Sequence, residues 1–305
     1  MFIVRHKIFF ITFSTTLVAL SFLAAVVFGV RLSIDFTGGT LSEVTYTDGR
    51  PPLSDVESSL DGLALGNFSV QPAGESGYIL RMREIRPDER AALFDALSLG
   101  GTRAVREERF TAIGPAVGEE LKRKSIVALL VVLGMIILFL AWAFRKVSKP
   151  VPSWKYGTVA VLALFHDIAI PTGVFIVLGH FAGVEIDILF VTALLAILGY
   201  SVSDTIVIFD RIRENLLHNE EYRAREEFGV TVGKSLEQTY ARSINLSITT
   251  ALVLAALLMF GSSAVWHFAL ALMVGVIAGS YSSIFLASPL LVVLAGEPTA
   301  EKKRS

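Results

Sequence analysis

The sequence predicts a polytopic α-helical membrane protein: six transmembrane helices, with one α+β external domain of ferredoxin-like βαββαβ order between helices 1 and 2. Three observations carry that prediction. The 305 residues are 53% hydrophobic and only 18% charged, with a mean hydropathy of +0.62, too little charge to cover a soluble fold. Six apolar runs are each long enough to cross about 30 Å of hydrocarbon. One long polar stretch, residues 31–124, carries strand and helix patterns instead.

The first run, residues 8–30, contains no charged residue. Its length and the absence of a small-x-small cleavage site predict an anchor, not a removed signal peptide. In the polar stretch, 39–46 reads as a strand and 52–60 as a helix with Ser54 as a cap. Residues 68–70 and 78–83 read as strands around the Gly74-Glu75-Ser76-Gly77 turn, 87–97 as a proline-led helix, and 104–110 as a last strand. That βαββαβ order suggests the ferredoxin-like unit, whose Arg and Glu residues read as a solvated face.

The remaining spans are 125–144, 156–178, 188–209, 243–260 and 264–295. The last exceeds one perpendicular helix, so it tilts or its ends protrude. Basic residues gather before span 1 (Arg5, Lys7), between spans 2 and 3 (Arg145, Lys146, Lys149, Lys155) and between spans 4 and 5 (Arg211, Arg213, Arg223, Arg225, Lys234, Arg242). They recur at the end of the chain (Lys302, Lys303, Arg304), while loops 179–187 and 261–263 have none. Both termini are therefore expected in the cytoplasm. The expected organisation is 1–30 with helix 1, 31–124 outside, 125–295 with helices 2–6 and a cytoplasmic segment 210–242, and a tail 296–305.

Chemistry-bearing residues inside spans are few. Asp204 lies in an apolar run, where a carboxylate persists only if a partner, water or a proton compensates it. Removal from water disfavours its charged form, which suits proton exchange, and one charge crossing 100 mV is worth about 2.3 kcal/mol. It is the seventeenth residue of its span, roughly 25 Å from the outer end at 1.5 Å per residue, hence off-centre towards the cytoplasm. Arg211, two turns further on the same face, offers a rival structural ion pair. His166-Asp167 sits nearer mid-span and reads equally as a proton-holding pair or a helix-orienting one. Arg242, at a helix end, reads as an ordinary snorkelling anchor, and His267 beside Trp266 as an interfacial belt residue.

Asp35-Phe36-Thr37-Gly38-Gly39 follows the first span, and its glycine pair permits unusual backbone angles and close approach in a helix-to-strand turn. In the last span Ala271, Gly275, Gly279 and Ser283 recur every four residues, a smooth ridge for helix packing. The charged segment 211–242 is expected to be partly helical, with Val232, Leu236, Tyr240 and Ile244 in a helical stripe, and to lie on the membrane surface or meet a partner. There is no cysteine, nucleotide loop, metal cluster or nucleophile–base set. No covalent chemistry, cofactor, metal or nucleic-acid partner is therefore expected.

Three phrases carry a resemblance: Asp35-Phe36-Thr37-Gly38-Gly39; Ile113-Gly114-Pro115-Ala116-Val117-Gly118; and Gly199-Tyr200-Ser201-Val202-Ser203-Asp204 running into Asp210-Arg211-Ile212-Arg213-Glu214-Asn215. Together, along the whole chain, they resemble the SecD/SecF family of bacterial protein-export subunits, in its SecF form. The resemblance implies six helices forming one half of a resistance-nodulation-division-like transporter. It implies SecD as the other half, coupling a proton (or sodium) gradient to late preprotein translocation in the inner membrane. Implied partners are SecD, the SecYEG translocon, YajC, a YidC-type insertase, the preprotein and lipid. Asp204 then corresponds to the family's intramembrane aspartate, and Arg242 to the arginine opening its fifth helix. A proton-driven exporter half acting on small molecules is the alternative, and a scaffold without ion coupling is the third reading.

Overall fold

The computed structural model describes residues 2–144, 151–224, 226–261 and 263–296. Of the basic residues used for orientation, Arg145, Lys146, Lys149, Arg225, Lys302, Lys303 and Arg304 lie outside these. The chain forms two compact units, one of residues 32–127 and one of residues 1–31 with 128–305.

The smaller unit opens with a one-turn helix, α3 (Ile34–Thr37), preceded in the chain by α1 (Phe2–Arg5) and α2 (Lys7–Phe28) of the other unit. The Ser33 hydroxyl caps α3 by accepting from the Asp35 amide at 3.2 Å, and Phe36 is buried. Gly38 and Gly39 then turn the chain with φ of 72° and 127°, angles that L side chains rarely adopt. A Cβ at Gly38 would stand 2.7 Å from Pro115 Cα, and one at Gly39 2.7 Å from the Met82 carbonyl oxygen. The glycine pair therefore meets both a backbone demand and a space demand.

The chain continues through β1 (Gly39–Tyr46), α4 (Leu53–Leu60), β2 (Ser69–Ala73), β3 (Gly77–Met82), α5 (Pro87–Leu97) and β4 (Val105–Ile113). The sheet order is β2-β3-β1-β4, with all neighbours antiparallel, which is the ferredoxin-like arrangement that the βαββαβ order implies. Alternating residues of β1 and β3 (Val44, Tyr46, Tyr78, Leu80, Met82) meet Val56, Leu60, Leu93 and Leu97 from the two helices in one core. The Tyr46 hydroxyl donates to the Leu97 carbonyl at 2.9 Å, and burial pushes this phenol up to about 12. One local expectation fails. Pro52, not Ser54, occupies the N-cap of α4, and the Ser54 hydroxyl turns to Asp55 Oδ1 instead. The preset φ of proline starts the helix without a side-chain cap.

The larger unit contains the apolar helices α2, α7 (Ser153–Ala182), α8 (Ile188–Glu221) and α9 (Phe228–Phe260), and the part of α6 (Pro115–Ala143) from residue 128 onward. The final run comprises α10 (Ser263–Tyr281), a π-helical segment (Ser282–Ala287) and α11 (Ser288–Ala295). All six are long and apolar enough to cross a membrane. Half or more of the apolar window is buried in α7, α8 and the final run (50%, 50% and 61%), against 17%, 6% and 11% in α2, α6 and α9. Those three buried helices therefore form the centre, and the other three present broad apolar faces outward.

Helices α8 and α9 continue past the apolar runs, so the charged segment between them is mostly paired helix. This corrects the expectation for the 232–244 stripe. Val232 and Leu236 are buried in the main core, Ile244 packs against it, and only Tyr240 is largely exposed. The stripe is apolar because it packs against neighbouring helices of its own unit, not because it lies on a membrane surface.

Candidate functional site

Two carboxylates occupy the centre of the larger unit. Asp167 (α7) is fully buried and Asp204 (α8) is 6% exposed. A buried carboxylate costs several kcal/mol unless hydrogen bonds replace its hydration, and here serine hydroxyls do so. Asp204 Oδ1 accepts from Ser243 of α9 at 2.5 Å, and Oδ2 from Ser283 of the π segment at 2.7 Å. Asp167 Oδ2 accepts from Ser201 of α8 and from Ser282 at 2.9 Å. Its Oδ1 faces His166 Nδ1 at 2.9 Å. With a carboxylate opposite, that nitrogen is the natural donor.

The π segment makes this convergence possible. Adjacent residues of a helical segment project towards different sides, so Ser282 can address α7 while Ser283 addresses α8. Both hydroxyls also reach a second acceptor, the Gly279 carbonyl, at 3.1 Å from Ser282 and 2.5 Å from Ser283. The widened turn continues with the Ser288 hydroxyl donating to the carbonyl of Ser283 five residues earlier, at 3.2 Å. Such π turns inside helices are frequent at functional sites.

The four-residue ridge explains how α10 comes this close. A Cβ at Gly275 would lie 2.1 Å from Ile197 Cδ1, and one at Gly279 3.0 Å from Ser201 Cβ. Ala271 is fully buried. Thus Ala271, Gly275 and Gly279 seat the last run inside this unit, the latter two directly on α8, while Ser283 at the ridge's end acts as a hydrogen-bond donor. A further hydroxyl line leads away from Ser243: the Ser247 hydroxyl donates to its carbonyl at 2.8 Å and lies 2.5 Å from that of Ser280, and Tyr200 donates to Ser247 at 3.3 Å.

The structure thus gathers Asp204, Asp167, His166 and Ser283. It does not join Arg242 to them: Arg242 is exposed on α9, one residue before the buried Ser243, and forms no ion pair with Asp204. Nor does Arg211 pair with Asp204. Its guanidinium donates to Gln238 Oε1 and Glu214 Oε2, both at 2.6 Å, which removes the rival ion pair. Gly199 has open space where a Cβ would stand, so no close approach requires it. Ser201, Ser243, Ser280 and Ser282 were not singled out from the sequence. The signal available was the density of serines in the Gly279-Ser280-Tyr281-Ser282-Ser283 run, deep inside an apolar span.

No group of three or more potential metal ligands occurs among the described residues. A ferredoxin-like domain between the first two of six spans, with two hydroxyl-bound carboxylates buried among the central helices, defines a multi-pass membrane protein with a polar centre. Comparison with known proteins places it further. Residues 97–297 match the family model described as protein export membrane protein SecD/SecF, C-terminal, and residues 24–49 match that of the SecD/SecF GG motif. The chain belongs to the SecD/SecF family. It is 42% identical over 304 residues to the protein translocase subunit SecF of Thermobaculum terrenum, covering 95% of this chain and 92% of that one. It is 36% identical to the protein translocase subunit SecDF of Thermus thermophilus, covering 93% of this chain but 37% of that one. The crystal structure of Thermus SecDF, described as translocon-associated, superposes with a TM-score of 0.81 at 30% identity, over 95% of this chain and 38% of that one. This chain therefore spans well under half of the fused relative.

Proposed function

We propose that this chain is the SecF subunit of a bacterial protein translocase. It pairs with SecD beside the SecYEG translocon in the inner membrane, with both termini cytoplasmic and residues 31–124 outside. In this reading Asp204 is its proton-exchanging carboxylate, and the His166-Asp167 pair is the second element of the relay. Support for the assembly comes from family membership and from relatives in which the SecD and SecF portions form one chain. Support for proton exchange comes from one observation: Ser282 and Ser283 each have two acceptors but one proton.

With Asp204 ionised, Ser283 donates to it. With Asp204 protonated, the carboxyl donates to Ser283 Oγ, and the serine proton turns to the Gly279 carbonyl. Either state leaves few buried groups unpaired, so the proton can come and go without the cost of an orphaned donor or acceptor. Ser282 offers Asp167 the same exchange. The oxygens stand at hydrogen-bond distance, and a sodium ion seated between them would have to push them apart, which favours the proton. Because both serines sit on one π turn, a change at either carboxylate bears on the same piece of the last helix. That is a means of converting proton uptake into helix movement.

The test is Asp204→Asn, co-expressed with SecD, in export assays on vesicles with and without a proton gradient. Loss of the gradient-dependent part of export, with the gradient-independent part retained, is expected. Full gradient stimulation in the variant refutes the exchange, and a small-molecule efflux defect with normal secretion would point to an exporter.

A further inference from the structure

We propose that α2, α7 and α10 enclose a buried water-binding site formed by Ser14, His166 and Tyr281, which carries the hydrogen-bonded chain of Asp167 beyond the imidazole. Three side-chain atoms on three different helices point to it. Ser14 Oγ, His166 Nε2 and Tyr281 Oη are buried and meet no hydrogen-bond partner among the described protein groups. Ser14 is 1% and His166 2% exposed, so neither is wetted from outside.

The three are neighbours. The Tyr281 ring lies 6.1 Å from that of His166, at 26°, and 5.8 Å from that of Phe13, the residue before Ser14. The Ser14 and Tyr281 hydroxyls are close enough to interact, yet neither has a partner in good hydrogen-bonding geometry. Native proteins carry few buried polar orphans, and three on neighbouring side chains call for a common explanation. A single water makes about three hydrogen bonds to such groups.

The chemistry of the three atoms fits water. His166 Nδ1 is engaged by Asp167, so with its proton there Nε2 carries a lone pair and accepts from a water. The two hydroxyls can each donate to that water or accept from it. No carboxylate oxygen is left over for a cation, because those of Asp167 face His166, Ser201 and Ser282. The result is a continuous line from helix α2 through the water and the imidazole to Asp167. Its part in proton exchange rests on the function proposed above; its hydration does not.

The test uses the full chain purified with SecD, and the variants Tyr281→Phe and Ser14→Ala, both close to isosteric. If a water is bound, each substitution strips it of one partner, and the melting temperature falls by about 2–4 °C. If the atoms are true orphans, deleting a buried, unsatisfied hydroxyl removes a penalty, and the melting temperature stays or rises, which overturns the proposal. A high-resolution map of the complex gives the second reading. Density for one water within hydrogen-bond reach of at least two of the three atoms is expected, and a dry site overturns the proposal. Neither reading depends on export, so its failure is separable from failure of the Asp204→Asn experiment.

Discussion

The seat of the last helix run on α8 can be tested through Gly275. A methyl added there would begin 2.1 Å from Ile197 Cδ1, 2.3 Å from Cγ1 and 3.0 Å from Cγ2, whereas carbons pack at about 3.5–4.0 Å. Ile197 is fully buried, so it cannot swing into open space, and the helices must separate by roughly 1 Å or more. Overpacking of this kind costs about 1–3 kcal/mol, and the contact here is at the severe end. The better helix propensity of alanine offsets about 1 kcal/mol. Gly275→Ala is therefore expected to lose about 2 kcal/mol, a fall of about 4–8 °C in melting temperature for a unit of this size.

Thermal unfolding of the purified protein measures it, and a double-mutant cycle identifies the cause. Ile197→Ala alone leaves a cavity worth about 2–5 kcal/mol. Combined with Gly275→Ala, the new methyl fills part of that space, so the double variant should be better than additive by at least about 1 kcal/mol. An unchanged melting temperature for Gly275→Ala, or strict additivity, would refute the packing. The same displacement draws Ser282 and Ser283 from their carboxylates, so gradient-stimulated export should fall in Gly275→Ala and recover in the double variant.

Other predictions concern separate parts of the chain. Gly38→Ala and Gly39→Ala force positive φ on alanine and a Cβ at 2.7 Å from backbone. Each should cost at least about 1–3 kcal/mol, read as early protease cleavage of residues 32–127. Arg211→Gln removes a half-exposed ion pair with Glu214. It should cost less than about 1 kcal/mol and leave export intact, whereas a loss of export matching that of Asp204→Asn would revive the Asp204–Arg211 pairing. In the ferredoxin-like domain, the side-chain hydrogen bonds of Arg83 and then the Arg86 amide lower the Glu89 carboxyl from 4.5 to about 2. A depressed folded-state value means stability present above pH 4.5 and lost as pH falls from there through about 2. Glu89→Gln should flatten the pH dependence of unfolding in that window, and an unaltered slope would count against the ion pair.

Much of the architecture was legible in the residues. Span lengths, the proline-led helix at Pro87 and the strand at 39–46 follow from local periodicity and backbone chemistry, which act within a few residues. The ferredoxin-like order followed from element sequence alone, because few topologies suit βαββαβ. The depth and isolation of Asp204 and Asp167 in apolar spans marked them as functional candidates. Their partners were not legible. Ser243 and Ser283 lie 39 and 79 positions from Asp204, and no local pattern couples residues at that separation. The stripe at 232–244 was misread for the same reason, since an apolar helical face shows that something covers it but not what.

The sequence by itself determined that this is a six-span membrane protein with a small α+β domain between its first two spans and two costly carboxylates within apolar spans, because hydropathy and charge act locally and add up along the chain. Only the tertiary structure decided which hydroxyls satisfy those carboxylates. Arg211 and Arg242 do not. Gly275 and Gly279 bring the π turn against α8, and serines from helices distant in sequence converge on Asp167 and Asp204. Hydrogen-bond partners are set by close packing of helices, and packing is a property of the assembled fold.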